Sequence, residues 1–370
     1  MSNLFKPLRV GRIEVSNRIV LAPLTRCRND DKHIPLFFVK DYYAQRGSTP
    51  GTLLISEGAL ITPRAGLWDN SPEIHTDAQV AMWKEVTDAV HAKGSYIYMQ
   101  IFAMGRVASH EQLKKEDNFD LVSSSATPLC ADGPIPRALS ESEIEEYIAD
   151  YVQAARNAIS AGFDGVEIHS ANGFLLDQFL QDTCNKRTDC WGGSIQNRVR
   201  FTLEVTRAVA AAIGADRTGI RLSPFSPYNG MKMENPLPTF KYLAQELRKL
   251  KIAYTHLIES RVSGAETIDA LDSLDFFLKA YEDASPVIVA GGYKSDSARE
   301  AVDIQYRGHD ILVAFGRPFI SNPDLPFRIK DNVKFAPYDR DTFYTPGTSK
   351  GYTDYEFSDE FKAKAAAIAA

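Results

Sequence analysis

The chain has 370 residues, of which 44% are hydrophobic, so it can bury a large core. Its 42 basic and 48 acidic residues give a net charge of -6 and are spread along the chain without basic runs. This pattern argues against a nucleic-acid partner and against attraction to an anionic membrane surface. The N-terminus (MSNLFKPLRVGRIEV) has no apolar signal core, and no segment has the length of a membrane span, so we expect a cytoplasmic protein.

Eight short, nearly continuous apolar runs alternate with helical patterns along the chain. The runs are Arg18–Ala22, Thr52–Ser56, Tyr96–Ile101, Gly165–His169, Gly219–Leu222, Tyr254–Ile258, Pro286–Ala290 and Ile311–Phe315. Such runs are typical of buried parallel strands. Eight strand–helix repeats favour a closed α/β barrel, the (β/α)8 or TIM barrel, over another α/β arrangement. No Gly-x-Gly-x-x-Gly follows the first run and no Walker A loop is present, which counts against nucleotide-binding sheets.

The segments between the runs have the periodicity of amphipathic helices. Val80, Trp83, Val86 and Val90 share one face of a helix over 77–92. Ser140 and Glu143 have capping-box spacing at the start of a helix over 140–160. Further helices are predicted over 195–212, 237–250, 266–281 and 296–305.

We interpret residues 1–370 as one barrel domain with three additions, since a minimal barrel needs about 250 residues. Leu4–Val15 alternates around Gly11 like a hairpin, and we expect it to cover the bottom of the barrel. Residues 105–137, rich in Ser, Asp and Pro, form a cap-like insertion after the third strand. Residues 358–370 are expected to form a frayed C-terminal tail.

The residues that end the eight apolar runs form a largely polar set, at the end of the barrel where enzymes of this fold carry out their chemistry. They are Pro23, Leu24, Thr25, Glu57, Gly58, Ala59, Gln100, His169, Arg221, Glu259, Gly291, Gly292, Tyr293, Gly316 and Arg317. Glycines after the seventh and eighth runs, together with Arg317, predict a phosphate site, although tight turns alone explain such glycines about as often.

His169 ends the fourth run and Asn172 lies three residues later, so a turn can bring their side chains to one place. Two neutral N–H donors suit a carbonyl, nitro or phenolate oxygen on which negative charge develops. A histidine at a strand end can also be a satisfied polar group without a catalytic role. The seven histidines and the four cysteines (Cys27, Cys130, Cys184 and Cys190) have no metal-ligand spacing, so we expect no metal and reduced thiols.

Five stretches of the chain resemble the old yellow enzyme family. They are LAPLTRCR at 21–28, LISEGALITP at 54–63, GVEIHSANGFLLDQFLQD at 165–182, NKRTDCWGGSIQNRVRF at 185–201 and FGRPFISNPDLPFR at 315–328. The family consists of barrel enzymes that hold FMN non-covalently and reduce activated alkenes. The resemblance therefore implies FMN as cofactor and NADPH as reductant.

The resemblance also implies roles for individual residues. Around the flavin ring it places Pro23, Leu24, Thr25, Gly58, Gln100, His169 and Arg221, and around the phosphate Gly291, Gly292, Tyr293, Gly316 and Arg317. His169 and Asn172 would bind the substrate's activating oxygen. Phe102, Phe174, Phe343 and Tyr344 would line the substrate pocket, while Cys27 would pack without acting on the flavin.

Phe174 is the main departure from the family pattern, which reads His-x-x-Asn-x-Tyr. The family's tyrosine donates a proton to the substrate α-carbon, and Phe174 has no hydroxyl to do so. Phenylalanine here resembles the fungal ergot-alkaloid branch that acts on chanoclavine-I aldehyde. For such an enal, hydride transfer and return would isomerise the double bond, so that the amine closes an iminium ring that a downstream enzyme can reduce.

Three alternatives remain open from the sequence. Solvent or another group, such as Tyr344, could replace the missing proton donor in an ordinary ene-reductase of enones, enals or quinones. A flavin-binding barrel without turnover is disfavoured by the intact polar residues, Thr25, Gln100 and Arg221 among them. An aldolase or hydrolase barrel is disfavoured because no strand ends in a Schiff-base lysine or paired carboxylates.

Overall fold

A computed structural model describes residues 2–66, 68–263, 266–267 and 272–369. Its strands are β1 (Leu8–Val10), β2 (Ile13–Val15), β3 (Ile19–Leu21), β4 (Leu53–Ile55), β5 (Ala59–Leu60), β6 (Tyr96–Phe102), β7 (Val122–Ser123), β8 (Arg137–Ala138), β9 (Gly165–Ser170), β10 (Thr218–Leu222), β11 (Tyr254–Ile258), β12 (Val262–Ser263), β13 (Glu266–Thr267), β14 (Val287–Ala290) and β15 (Ile311–Phe315). Its α-helices are α1 (Val39–Arg46), α2 (Asp77–His91), α3 (His110–Lys115), α4 (Glu141–Ser160), α5 (Leu175–Leu180), α6 (Ile195–Ile213), α7 (Leu237–Leu250), α8 (Asp275–Tyr281), α9 (Ser295–Glu300), α10 (Arg317–Ser321), α11 (Leu325–Asp331) and α12 (Asp359–Ala369).

Eight parallel strands close into a barrel in the order β4-β3-β15-β14-β11-β10-β9-β6, and β4 pairs with β6 to complete it. Each of the eight apolar runs supplies one of these strands, so the predicted (β/α)8 fold is confirmed. The apolar faces of the helices pack around the strands in the main core. None of the helices in the described part of the chain is long and apolar enough to span a membrane.

The N-terminal hairpin closes one end of the barrel, as predicted. β1 and β2 pair antiparallel, and their buried side chains join an inner cluster with Tyr98, Tyr254 and Leu312 from the barrel strands. Gly11 lies in the turn with φ +56°, and a Cβ there would lie 2.1 Å from the carbonyl oxygen of Asp216. Only glycine permits this close approach, which brings the hairpin against the turn before β10.

The predicted helices over 77–92, 140–160, 195–212 and 237–250 are confirmed as α2, α4, α6 and α7. α4 begins with the predicted capping box, in which Ser140 accepts from the Glu143 amide and the Glu143 carboxylate accepts from the Ser140 amide. On α2, Trp83, Val86 and Val90 are fully buried and Val80 is partly buried, as the apolar stripe predicted.

Two of the predicted helices are wrong in part. In the predicted helix over 266–281, Glu266–Thr267 instead pair with β12, and α8 begins only at Asp275. Residues 268–271 of that helix lie outside the described residues. The predicted helix over 296–305 is α9 followed by a π-helical turn, Ala301–Gln305, whose wider winding a 3.6-residue pattern does not reveal.

The insertion over 105–137 contains α3 and the short parallel pair β7–β8. Its Arg106 guanidinium donates to the carbonyl oxygens of Thr127, Pro128 and Asn229, which ties it to the loop after β10. Towards the C-terminus, α12 occupies most of the predicted tail, and its Phe361 contacts Phe327 with ring centroids 5.3 Å apart.

Candidate active site

The carboxyl ends of the barrel strands open into a cavity of about 1160 Å³. Every residue predicted for the cofactor or substrate site lines it. These residues are Pro23, Leu24, Thr25, Gly58, Gln100, Phe102, His169, Asn172, Phe174, Arg221, Gly291, Gly292, Tyr293, Gly316, Arg317, Phe343 and Tyr344. The structure thus brings together residues from seven strand ends and from the C-terminal loop.

His169 and Asn172 reach the cavity from the end of β9 and the turn that follows. His169 pairs in register with Arg221 on β10. Asn172 has φ +57°, a left-handed conformation that a hydrogen bond from its amide to Ser223 Oγ (2.8 Å) and one from Asn229 Nδ2 to its carbonyl oxygen (2.9 Å) support. The turn therefore directs the Asn172 side chain to the same cavity as His169.

His169 is neutral in this environment. Burial lowers its pKa well below the ordinary value, and the nearby Arg221 and His256 add to the shift. Its Nδ1 is buried without a hydrogen-bond partner among the described residues. A neutral imidazole carries one N–H, so His169 can donate to a ligand oxygen without bringing a positive charge.

A buried polar network lies beside His169, below the cavity. Glu167 accepts from Gln100 Nε2 (2.7 Å), and its other oxygen lies 2.8 Å from His256 Nδ1. Burial favours the protonated carboxyl, but His256, Arg221 and Gln100 together hold the pKa of Glu167 below its ordinary value. An ionised Glu167 therefore offsets part of the charge of Arg221, whose Nε is buried without a partner among the described residues.

Aromatic rings form the wall around Phe174. Its ring centroid lies 4.8 Å from His169, 5.0 Å from Phe102 and 5.9 Å from Trp68. Phe174 is 7% exposed, so no bulk water surrounds its ring. The position next to His169 is therefore apolar and carries no proton donor of its own.

Glycines and positively charged side chains also line the cavity. Gly292 has φ +64°, and a Cβ at Gly291 would lie 2.5 Å from Glu259 Cβ. The charged side chains among the described lining residues are all positive: Arg221, Lys294 and Arg317. Backbone amides exposed by glycines, combined with positive charge, suit an anion such as a phosphate.

Two buried arginines fix the loop that carries Phe343 and Tyr344. The carbonyl oxygen of Phe343 accepts from Arg26 Nε and from Arg28 Nη1, both at 3.1 Å. Arg28 also donates to the carbonyl oxygen of Thr342 at 2.8 Å. The loop after β3 thereby holds the outer wall of the cavity.

Cys27, in the same loop after β3, also lines the cavity. Burial and the nearby Glu57 raise its pKa to about 11, so it is a thiol at neutral pH. This state agrees with a packing role, because the thiol is a poor nucleophile.

Several residues that line the cavity were not predicted from the sequence, namely Trp68, Tyr228, Lys294, Phe335 and Tyr338. Lys294 directly follows the Gly291–Tyr293 turn, and its position in the sequence could have revealed it. The aromatic residues lie on long loops away from the strand ends, and only tertiary contacts direct them inward. None of the described lining residues belongs to 105–137, so the covering role of that insertion stays a prediction.

Known proteins agree with this architecture. Residues 3–335 match the NADH:flavin oxidoreductase / NADH oxidase family. A relative from Penicillium roqueforti, named chanoclavine-I aldehyde reductase fgaOx3, is 62% identical over 98% of both chains. A relative from Claviceps fusiformis, named "probable inactive dehydrogenase easA", is 49% identical over 97% of this chain and 96% of its own.

The crystal structure of old yellow enzyme from Pichia sp. AKU4542 superposes with a TM-score of 0.89 at 38% identity, covering 97% of this chain and 94% of that one. Family match, sequence identity and superposition thus agree over almost the whole chain. The chain belongs to the NADH:flavin oxidoreductase / NADH oxidase family and is an oxidoreductase of the old yellow enzyme type.

Proposed function

We propose that the chain acts on the α,β-unsaturated aldehyde of chanoclavine-I aldehyde in ergot (clavine) alkaloid biosynthesis, with FMN as cofactor. The name of the Penicillium roqueforti relative supports this substrate. We further propose that the enzyme isomerises the double bond rather than reducing it, so that the substrate amine can cyclise to an iminium. The observation that carries this proposal is the apolar Phe174 ring 4.8 Å from His169.

The cavity fits FMN in charge and in shape. Arg221, Lys294 and Arg317 provide positive charge without an opposing carboxylate among the described lining residues, as an anionic cofactor requires. The unpartnered, buried Arg221 Nε leaves a donor for a ring oxygen or nitrogen. A Cβ at Gly58 would lie 3.0 Å from the Phe102 ring, so a larger residue would crowd this wall of the cavity.

In this proposal, two groups of residues hold the cofactor without a covalent bond. Pro23, Leu24, Thr25, Gly58, Gln100, His169 and Arg221 hold the flavin ring, and Gly291, Gly292, Tyr293, Gly316 and Arg317 hold the phosphate. When bound and reduced by NADPH, FMN supplies a hydride to the β-carbon of an unsaturated carbonyl compound and can take it back.

His169 and Asn172 activate the substrate in this scheme. Both donate hydrogen bonds to the aldehyde oxygen, which lowers the energy of the enolate that forms once the β-carbon is reduced. Because His169 is neutral, it stabilises that oxygen without protonating it. Phe102, Phe174, Phe343 and Tyr344 enclose the apolar part of the substrate and exclude water.

In this proposal, Phe174 determines whether the substrate is reduced or isomerised. A tyrosine there would protonate the α-carbon and complete reduction, whereas phenylalanine leaves the enolate unprotonated. In this enolate the former double bond would be a single bond free to rotate, so restoring the double bond would give the other geometry. The product is an isomer, and no net NADPH is consumed after the first reduction.

Net reduction with another proton source is the second candidate. Tyr344 lines the cavity, and its hydroxyl is protonated at neutral pH, because the ordinary pKa of tyrosine is about 10. The name of the 62% identical relative, a reductase, also favours this outcome. Under this candidate, Tyr344→Phe lowers the yield of saturated product, whereas under isomerisation it leaves the products unchanged.

The ratio of NADPH consumed to product formed tests the proposal. Purified enzyme is supplied with chanoclavine-I aldehyde, and the products are separated by mass and by double-bond geometry. Isomerisation predicts many product molecules per NADPH and a cyclised iminium that a downstream reductase can use. One NADPH per saturated product contradicts isomerisation, and a protein that does not bind FMN contradicts the whole proposal. NADH in parallel reactions decides the choice of reductant.

A further inference from the structure

The turn that carries Asn172 has an unusual backbone. Asn172 and Gly173 are both left-handed, with φ of +57° and +75°. Left-handed backbone at a residue other than glycine persists where the surroundings enforce it. A Cβ at Gly173 would lie 2.5 Å from Asn229 Cβ, so this turn is also tightly packed from outside.

Asp177, on α5, lies underneath this turn and is fully buried. Its Oδ2 accepts from the Gly173 amide at 2.9 Å and from Ser223 Oγ at 3.5 Å. Ser223 Oγ in turn accepts from the Asn172 amide at 2.8 Å. Oδ1 accepts from Gln181 Nε2 at 3.0 Å. The Asp177 carboxylate therefore binds the Gly173 amide directly and is linked to the Asn172 amide through the Ser223 hydroxyl.

Among the described residues, no cation forms an ion pair with Asp177. The groups that contact it from α5, from the turn and from the end of β10 are neutral: the Gln181 amide, the Gly173 amide and the Ser223 hydroxyl. Burial is the main cause that raises its pKa to about 6, against the opposing effect of these hydrogen bonds. A buried carboxylate without a cation costs stability. In return, the hydrogen bonds of Asp177 fix the orientation of the turn.

We propose that Asp177 is a positioning residue that holds the 171–173 turn so that Asn172 faces the same ligand oxygen as His169. This inference rests on the proposed function, in which Asn172 and His169 bind the substrate oxygen. Asp177 does not line the cavity, so it acts through Ser223 and the turn.

Binding of cyclohexenone to the oxidised, FMN-loaded enzyme tests this proposal. Cyclohexenone presents a carbonyl oxygen, does not titrate, and finds no hydride to accept in the oxidised enzyme. We expect Asp177→Ala to raise its Kd about tenfold, as the loss of an oriented hydrogen bond does. FMN content should remain that of the wild type. Ser223→Ala, which removes only the bridging hydroxyl, should raise the Kd in the same direction and serves as the second variant if Asp177→Ala does not fold.

Non-additivity separates positioning from a general structural role. Asn172→Ala should weaken cyclohexenone binding, and adding Asp177→Ala to it should cost nothing further, because Asp177 acts through Asn172. Asp324→Asn is the matched control, since Asp324 is a fully buried carboxylate that binds Ser358 and Arg328 instead. It should leave the Kd unchanged.

The pH profile is a further readout. Affinity of the wild type should fall as the pH drops through about 6, where Asp177 becomes protonated and Oδ2 accepts less well from the turn. His169 does not titrate there, because its pKa lies well below its ordinary value. Asp177→Asn should abolish this dependence.

Two results would overturn different parts of the account. If Asn172→Ala weakens binding but Asp177→Ala and Ser223→Ala do not, Asp177 has no positioning role. If Asn172→Ala itself leaves binding unchanged, the proposed function is wrong in its oxygen-binding pair.

Discussion

Phe174→Tyr restores one hydroxyl to the wall of the cavity and should convert the enzyme towards net reduction. The ring already lies 4.8 Å from His169 and 5.0 Å from Phe102, so the substitution keeps its packing and adds one oxygen. An unsatisfied buried hydroxyl costs about 1–3 kcal/mol, which a folded domain of this size tolerates. The cavity beside Phe174 gives the hydroxyl access to a bound substrate.

The expected gain follows from general acid catalysis. A positioned proton donor accelerates a step by about 10²- to 10⁴-fold, so protonation of the α-carbon should outrun return of the hydride. The ratio of saturated to isomerised product should therefore rise by about a hundredfold or more. Product analysis after reaction with excess NADPH measures this ratio, with FMN content and melting temperature as checks on folding.

Phe174→Leu is the control, because it changes the packing of this wall without adding a hydroxyl. It should not increase the saturated product. If Phe174→Tyr folds, binds FMN and leaves the product ratio of the wild type unchanged, the argument from the missing proton donor is refuted.

Three further predictions concern the cofactor, the outer wall and stability. Arg317→Met should weaken FMN binding by about 10- to 100-fold, as loss of a charged hydrogen bond does. Binding of riboflavin, which has no phosphate, should stay unchanged. Equal losses of affinity for both ligands would contradict the phosphate assignment. Arg26→Lys should raise KM for the enal without changing FMN content, because the carbonyl oxygen of Phe343 loses the Arg26 Nε donor. An unchanged KM would show that the loop needs no such support. Burial raises the pKa of Glu57 from 4.5 to about 7. Relative to Glu57→Gln, the wild type should therefore lose about 3 kcal/mol of unfolding free energy as the pH rises from 4.5 through 7. If the unfolding free energies of the two proteins, measured in urea, change in parallel with pH, this shift is contradicted.

The sequence predicted the barrel because strands buried on both sides are mostly apolar. Val287–Ala290 and Ile311–Phe315 illustrate this, since every residue in them is apolar and buried. Periodicity failed near Glu266, where a short hairpin with Val262–Ser263 replaces the first part of a predicted helix. Helical spacing of apolar residues does not reveal a strand pair of two residues on each side.

The site was predictable to the extent that it lies at the strand ends. Gln100, His169 and Arg221 are strand residues, and their positions follow from the register of the barrel. Trp68 and Tyr338 come from loops, and packing against the rest of the chain decides which way they point. Asp177 was not predicted because its partners, Gly173 and Ser223, meet only in the folded chain.

The most direct test of isomerisation is an anaerobic reaction between prereduced enzyme and chanoclavine-I aldehyde, with no NADPH present. The absorbance of the flavin and the products are followed together, at a large excess of aldehyde over enzyme. Isomerisation predicts many equivalents of rearranged product while the flavin stays reduced. Reoxidation of the flavin with one equivalent of saturated product would contradict it.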